Sequence, residues 1–118
     1  EARDYPRTRF LAQALVQRAA QDPNADDAML LIARAQLAEN RAATAVQELN
    51  RLLQTYPQGD AVPEALGVLA DSFVNLRMCT EAQRTLRLLI ERHGRTPAAA
   101  ARTRLEAVRA LPREACGG

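Results

Sequence analysis

The sequence predicts an all-α fold, a stack of antiparallel helix pairs with about six helices in a single domain over residues 1–118. Three observations carry this. Residues 27–57 lie over residues 64–94 without a gap, a period of 37 residues. In that alignment Ala28 meets Ala65, Met29 meets Leu66, Ile32 meets Leu69, Ala33 meets Ala70, Ala45 meets Ala82, Leu49 meets Leu86 and Leu52 meets Leu89. Self-similarity at such a period marks a repeat array, in which each unit must stack on a neighbour to bury its apolar face. Within each copy the apolar residues recur at helical spacing. Finally, a chain of 118 residues with 47% hydrophobic but only 3% aromatic residues must build its core from Ala and Leu, which suits layered helices.

The elements follow in order. Residues 9–21 carry Phe10, Ala14 and Leu15 on one side and predict a single helix, a half-repeat. Residues 25–39 carry Met29, Ile32, Ala33 and Gln36, with Asn24 placed as N-cap and Asp26 and Asp27 complementing the helix N-terminus. Residues 41–56 carry Ala45, Leu49, Leu52 and Leu53, and both helices of this repeat (25–57) are expected to bury one face. Tyr56-Pro57-Gln58-Gly59-Asp60 then breaks the chain before Pro63 opens the next helix, since proline is tolerated in a first turn. Helices at 62–76 and 80–93 form the second repeat (62–94), and Gly94 is placed to end it in the left-handed conformation. Ala33, Ala45, Ala70 and Ala82 let paired helices approach closely. Ala101, Leu105 and Val108 predict a capping helix at 98–110 within a 98–111 cap that keeps the 37-residue register poorly, and a tail follows at 112–118.

Charge is unevenly spread. Residues 22–71 hold eight acids against three Arg, a balance of −5, whereas residues 72–118 hold nine Arg against four Glu, a balance of +5. Such polarity would steer an acidic partner to the C-terminal end or favour head-to-tail self-association; the bland reading is a solvated face on each helix. The Arg residues are scattered among Ala and Leu without interleaved aromatics, which argues against nucleic acid. Catalytic groupings are nearly absent, with one Ser (Ser72), one His (His93), no Gly-rich phosphate loop and no Cys/His cluster of ligand spacing. The reading is therefore no enzyme, no cofactor and no metal. No stretch approaches the ~20 apolar residues of a membrane span. The chain begins at Glu1 without Met and is read as a piece of something longer.

Met29, Ile32, Ala33 and Gln36, followed by Ala45, Leu49, Leu52 and Pro57, resemble the tetratricopeptide repeat, and Leu66, Leu69, Ala70, Phe73, Ala82, Leu86, Leu89 and Gly94 make the second copy. Gln36 stands where the family has an aromatic residue, Gly94 where it has proline, and there is no Trp. The resemblance implies a right-handed superhelix whose first helices line a concave, peptide-binding face. Carried over residue by residue, the groove is Leu30, Arg34 and Leu37 in one copy and Gly67, Asp71, Val74 and Asn75 in the next. The alternative is that these residues pack on a neighbouring repeat or a sister chain. The clamp of the chaperone-binding version falls here on Leu30, Arg34 and Val68, of which only Arg34 is basic, so that version is not expected. The join at 52–66, with Tyr56-Pro57 and Pro63-Glu64-Ala65-Leu66, is similar to that of bacterial cell-envelope members such as the periplasmic coordinator of the Tol-Pal system and outer-membrane assembly lipoproteins. It implies an adaptor in the periplasm or cell envelope, with a cytoplasmic location as the alternative. A spacer or self-assembly module in a larger machine is the competing function.

Cys79 and Cys116 are expected to form a disulfide. Helices over 80–93 and 98–110 have lengths of about 21 and 20 Å at 1.5 Å per residue, so the returning helix ends level with the turn holding Cys79, and residues 111–115 close the gap. The alternative is a buried thiol at Cys79 and an incidental Cys116 in a disordered tail. Persistent disulfides belong to oxidising compartments, so the bridge and the periplasmic expectation go together.

Overall fold

The computed structural model describes residues 25–93 and 95–117, the second range without the side chains of 95–97. The expected helix at 9–21, the Asn24 cap and the left-handed Gly94 lie outside the described residues. Five α-helices follow one another: α1 (Ala25–Ala38), α2 (Ala42–Thr55), α3 (Val62–Asn75), α4 (Cys79–Arg92) and α5 (Arg95–Arg109), with a 3-10 turn at Arg113–Cys116. No strand occurs among the described residues. Each helix packs on the next, and α1, α3 and α5 also touch side by side, so the odd-numbered helices share one face of the stack.

The period shows in the packing. In α2 the buried residues are Ala42, Ala45, Leu49 and Leu52, and 37 residues later Cys79, Ala82, Leu86 and Leu89 repeat them in α4. Each buried Leu stabilises the fold by roughly 1.5–3 kcal/mol. The odd helices depart from the one-face expectation. Helix α1 buries Ala28, Leu30, Ile32 and Ala35 as well as Met29 and Ala33, and α3 buries Val62 through Ala70 almost without a gap on more than one side. Helix α3 is surrounded because it touches α1, α2, α4 and α5, and a helix that is apolar all round is one with neighbours all round. Ala33, Ala45, Ala70 and Ala82 are each at most 1% exposed, which is what close helix approach requires. Buried hydroxyls are satisfied within their own helices, Ser72 Oγ donating to the Val68 carbonyl and Thr85 Oγ1 to that of Glu81, both at 2.8 Å.

Both repeats turn between their helices in the same way. At the end of α1 the Arg41 N–H donates to the Gln36 carbonyl at 2.9 Å and the Asn40 N–H to that of Leu37 at 3.0 Å. At the end of α3 the Met78 and Arg77 N–H groups do the same to Phe73 and Val74, at 2.8 and 2.9 Å. These are Schellman closures, and their left-handed residues are Asn40 (φ 63°) and Arg77 (φ 62°) rather than glycine. Between the repeats, Asp26 is 3% exposed and its carboxylate accepts the Ala61 N–H at 3.2 Å, tying the loop after α2 back to the start of α1. That carboxylate occupies the space a Cβ at position 59 would need, which accounts for Gly59.

The C-terminal part corrects three expectations. Helix α5 starts at Arg95 rather than 98, because Pro97 falls within its first turn where no N–H is needed. Cys79 is the first residue of α4, not part of the preceding turn, and residues 113–116 are a 3-10 turn rather than a free tail. The structure brings Cys79 and Cys116 to disulfide geometry, with Cα atoms 5.3 Å apart.

Candidate functional site

A furrow runs along the shared face between α3 and α5. Its wider part is a cavity of about 470 Å³ with a floor of small or apolar residues, among them Gly67, Val68, Ala100 and Ala101, and with Arg34, Asp60, Glu64 and Arg104 around it. A second hollow of about 240 Å³ continues it along Asp71, Val74, Val108 and Leu111. The Arg104 side chain is the bar between the two, since it lines both. It can lie flat on α3 because position 67 has no side chain: a Cβ there would sit 2.8 Å from Arg104 Nη1.

Among the described residues two ion pairs cross the face. Arg34 on α1 pairs with Glu64 on α3, and Arg104 on α5 stands 3.5 Å from Asp71 on α3. All four side chains are about half exposed, so each pair contributes about 0–1 kcal/mol and can exchange partners with an incoming segment. Partial burial holds the Asp71 carboxyl above the usual carboxylate range, outweighing the Arg104 guanidinium that pulls it down. Chemically the furrow offers, among the described residues, two guanidiniums and three carboxylates over a small-residue floor. That suits backbone and mixed side-chain contacts with a polypeptide.

The seven residues expected in the groove divide. Arg34 and Gly67 line the wider cavity, and Asp71 and Val74 line the narrower one. Leu30 is only 5% exposed within the core cluster, so it supports α1 from inside instead of presenting an apolar strip. Leu37 and Val74 are half-buried against that core, so Val74 is wall and core at once. Asn75 is exposed at the end of α3 and lines neither hollow. Sequence reasoning missed Glu64, Ala100, Ala101 and above all Arg104. Extending the 37-residue period into the last helix would have pointed there, because position 104 follows Leu30 and Gly67 at successive periods.

Gln36, where the sequence resemblance expects an aromatic residue, is 4% exposed and its Oε1 accepts no hydrogen bond. Phe73, one period later, packs against the core. Ser72 is wholly buried and already hydrogen-bonded, so its hydroxyl meets no solvent. Among the described residues no three His, Cys, Asp or Glu side chains gather to hold a metal ion, and no helix is long and apolar enough to cross a membrane.

Residues 27–59 match the tetratricopeptide repeat family, a segment that takes in nearly all of α1, all of α2 and the start of the loop after it. Repeats of this family generally mediate protein–protein interaction and are not catalytic units. A search among curated proteins finds no match.

Proposed function

We propose that this chain is a non-catalytic adaptor that takes a peptide or protein segment into the α3–α5 furrow, as part of a complex in a bacterial cell envelope. The observation that carries the reading is the furrow itself, a small-residue floor between two helices with exchangeable ion pairs on its walls. The repeat match over residues 27–59 supports a protein partner. The envelope context rests on the sequence of the 52–66 join and on the pairing of Cys79 with Cys116, a bridge that an oxidising compartment would keep closed. Against the spacer alternative stands α5, whose described exposed side chains include Arg102, Thr103, Glu106 and Arg109 and no large apolar residue, so they give a further helix pair no stripe to stack on.

Ala100 is exposed at the furrow and lies in the interior of α5, so Ala100→Trp fills the cavity without disturbing the core. Crosslinked capture from an envelope extract should lose its partners with Ala100→Trp and keep them with Arg51→Ala, an exposed change on α2. Retention of every partner by Ala100→Trp would place the binding surface elsewhere.

A further inference from the structure

The two repeats differ in chemistry at three positions that converge on one cavity away from the furrow. Arg51, Thr55 and Tyr56 of the first repeat are replaced, one period on, by Leu88, Arg92 and His93. The cavity, about 430 Å³, is lined by Leu53, Pro57 and Gln58 from the end of α2 and its loop, by Val62 and Leu66 at the start of α3, and by those three residues of the second repeat. It shares no lining residue with either hollow of the furrow.

Its chemistry is lopsided. Val62 and Leu66 are 5% and 2% exposed and form an apolar floor, while Leu53 and Leu88 are half-buried walls packed on the core. Arg51 is exposed at the equivalent place in the first repeat, so the exchange for Leu88 makes an apolar wall where the repeat otherwise has a solvated cation. At the mouth stand Arg92, exposed, and His93, half-buried. Among the described residues no carboxylate lines the cavity. Among the described residues neither side chain has an ion pair or hydrogen bond. The N-terminal end of α3 adds positive partial charge beside the cavity and offsets the negative C-terminal end of α4. A pocket of this size, apolar within and with polar groups converging at its rim, is built like a ligand site.

We infer that this cavity is a second docking site, independent of the furrow, for an acidic peptide segment in which one apolar side chain is flanked by carboxylates. The apolar side chain fills the space between Leu53, Leu66 and Leu88, and a neighbouring carboxylate takes the guanidinium of Arg92, the imidazole of His93, or both. Size selects the peptide over a lipid chain. Val62 and Leu66, like Leu88 and Arg92, are four residues apart on their helices, so the apolar floor extends only about 6 Å along each helix, room for one side chain and not for an extended acyl chain. A peptide also continues past the pocket across Pro57 and Gln58, where backbone groups are available.

The test uses the whole 118-residue chain, uniformly labelled with nitrogen-15, and a blocked Gly-Asp-Leu-Glu-Gly peptide as probe. Amide shifts should concentrate at Leu53, Leu88, Arg92 and His93. The same peptide with Asn and Gln for its acids should bind about tenfold more weakly or worse, and Arg92→Glu should reduce affinity for the acidic peptide by a similar factor. Arg92 is exposed, so that variant keeps its fold, which circular dichroism checks. Leu88→Arg, which restores the residue of the first repeat, should also abolish the shifts. Equal binding of the neutral peptide, or shifts confined to the furrow, would overturn the site. Displacement of the acidic peptide by decanoate at a lower concentration than the peptide itself requires would overturn its peptide occupant.

Discussion

Gly67→Ala should make the protein more stable and a poorer binder. Position 67 is in the interior of α3, where alanine is favoured over glycine by about 0.8–1.0 kcal/mol. The new Cβ would meet Arg104 Nη1 at 2.8 Å, and the next atom, Arg104 Cζ, at 3.8 Å. Only the far end of a flexible side chain has to withdraw. What it gives up is the pair with Asp71 at 3.5 Å, both partners half exposed, about 0.2–1 kcal/mol. The net gain is therefore about 0.5 kcal/mol, a rise of roughly 2 °C in melting temperature for a domain of this size. Thermal and urea unfolding of wild type, Gly67→Ala, Arg104→Ala and the double variant form a cycle. In the Arg104→Ala background the conflict is absent, and the full helical gain of about 0.8–1.0 kcal/mol should return. Partner capture should fall, because the furrow floor rises and Arg104 is displaced. A loss of more than about 1 kcal/mol that Arg104→Ala does not relieve would refute the account, since a backbone or core contact would then be what position 67 protects.

The disulfide should account for a large share of the C-terminal stability. Cys79 and Cys116 are separated by 37 residues, for which the chain-entropy model gives about 4 kcal/mol, and α5 is otherwise held by the buried Ala98, Ala101, Leu105 and Val108. Intact mass under non-reducing conditions should be two hydrogen atoms (about 2 Da) lighter than the reduced chain, and two free thiols in protein purified from an oxidising compartment would remove both the staple and the main support for the envelope. Arg77→Gly should stabilise the α3–α4 turn by about 1 kcal/mol, and Asn40→Gly should gain less, because asparagine tolerates the left-handed conformation; the reverse order in urea unfolding would contradict the Schellman assignment. Burial raises the carboxyls of Glu48 and Asp71, against the opposing pull of Arg51 and Arg104. The folded state then keeps these protons to higher pH than the unfolded chain, so their contribution to stability is present in acid and is lost as pH climbs from the ordinary values of 4.5 and 3.8 through the raised ones. The difference in urea midpoint between pH 4 and pH 7 should accordingly shift toward neutral-pH stability in Glu48→Gln with Asp71→Asn, and an unchanged difference would count against the burial.

The all-α class, the pairing of helices and the core positions of the even helices were legible in the sequence, because a 37-residue period with helical spacing leaves few other ways to bury Leu49, Leu52, Leu86 and Leu89. The spacing of Cys79 and Cys116 was legible too, since helix lengths fix where a returning chain ends. The groove positions are carried over residue by residue from the resemblance, which places them on the first helix of each pair. Whether such a position faces a partner or the core depends on what packs beside it, and α3 is enclosed by four helices. Leu30, on α1, went inward because α1 packs against both α2 and α3, and the left-handed turns at Asn40 and Arg77 stayed hidden because no glycine marked them. The sequence alone determined the stack of helix pairs, through local periodicity and the need of each pair for a neighbour. Only the tertiary structure decided the site. It laid Arg104 across the bare backbone of Gly67 and set Arg92 and His93 over an apolar cavity, because these contacts join residues from different helices whose relative placement no local pattern encodes.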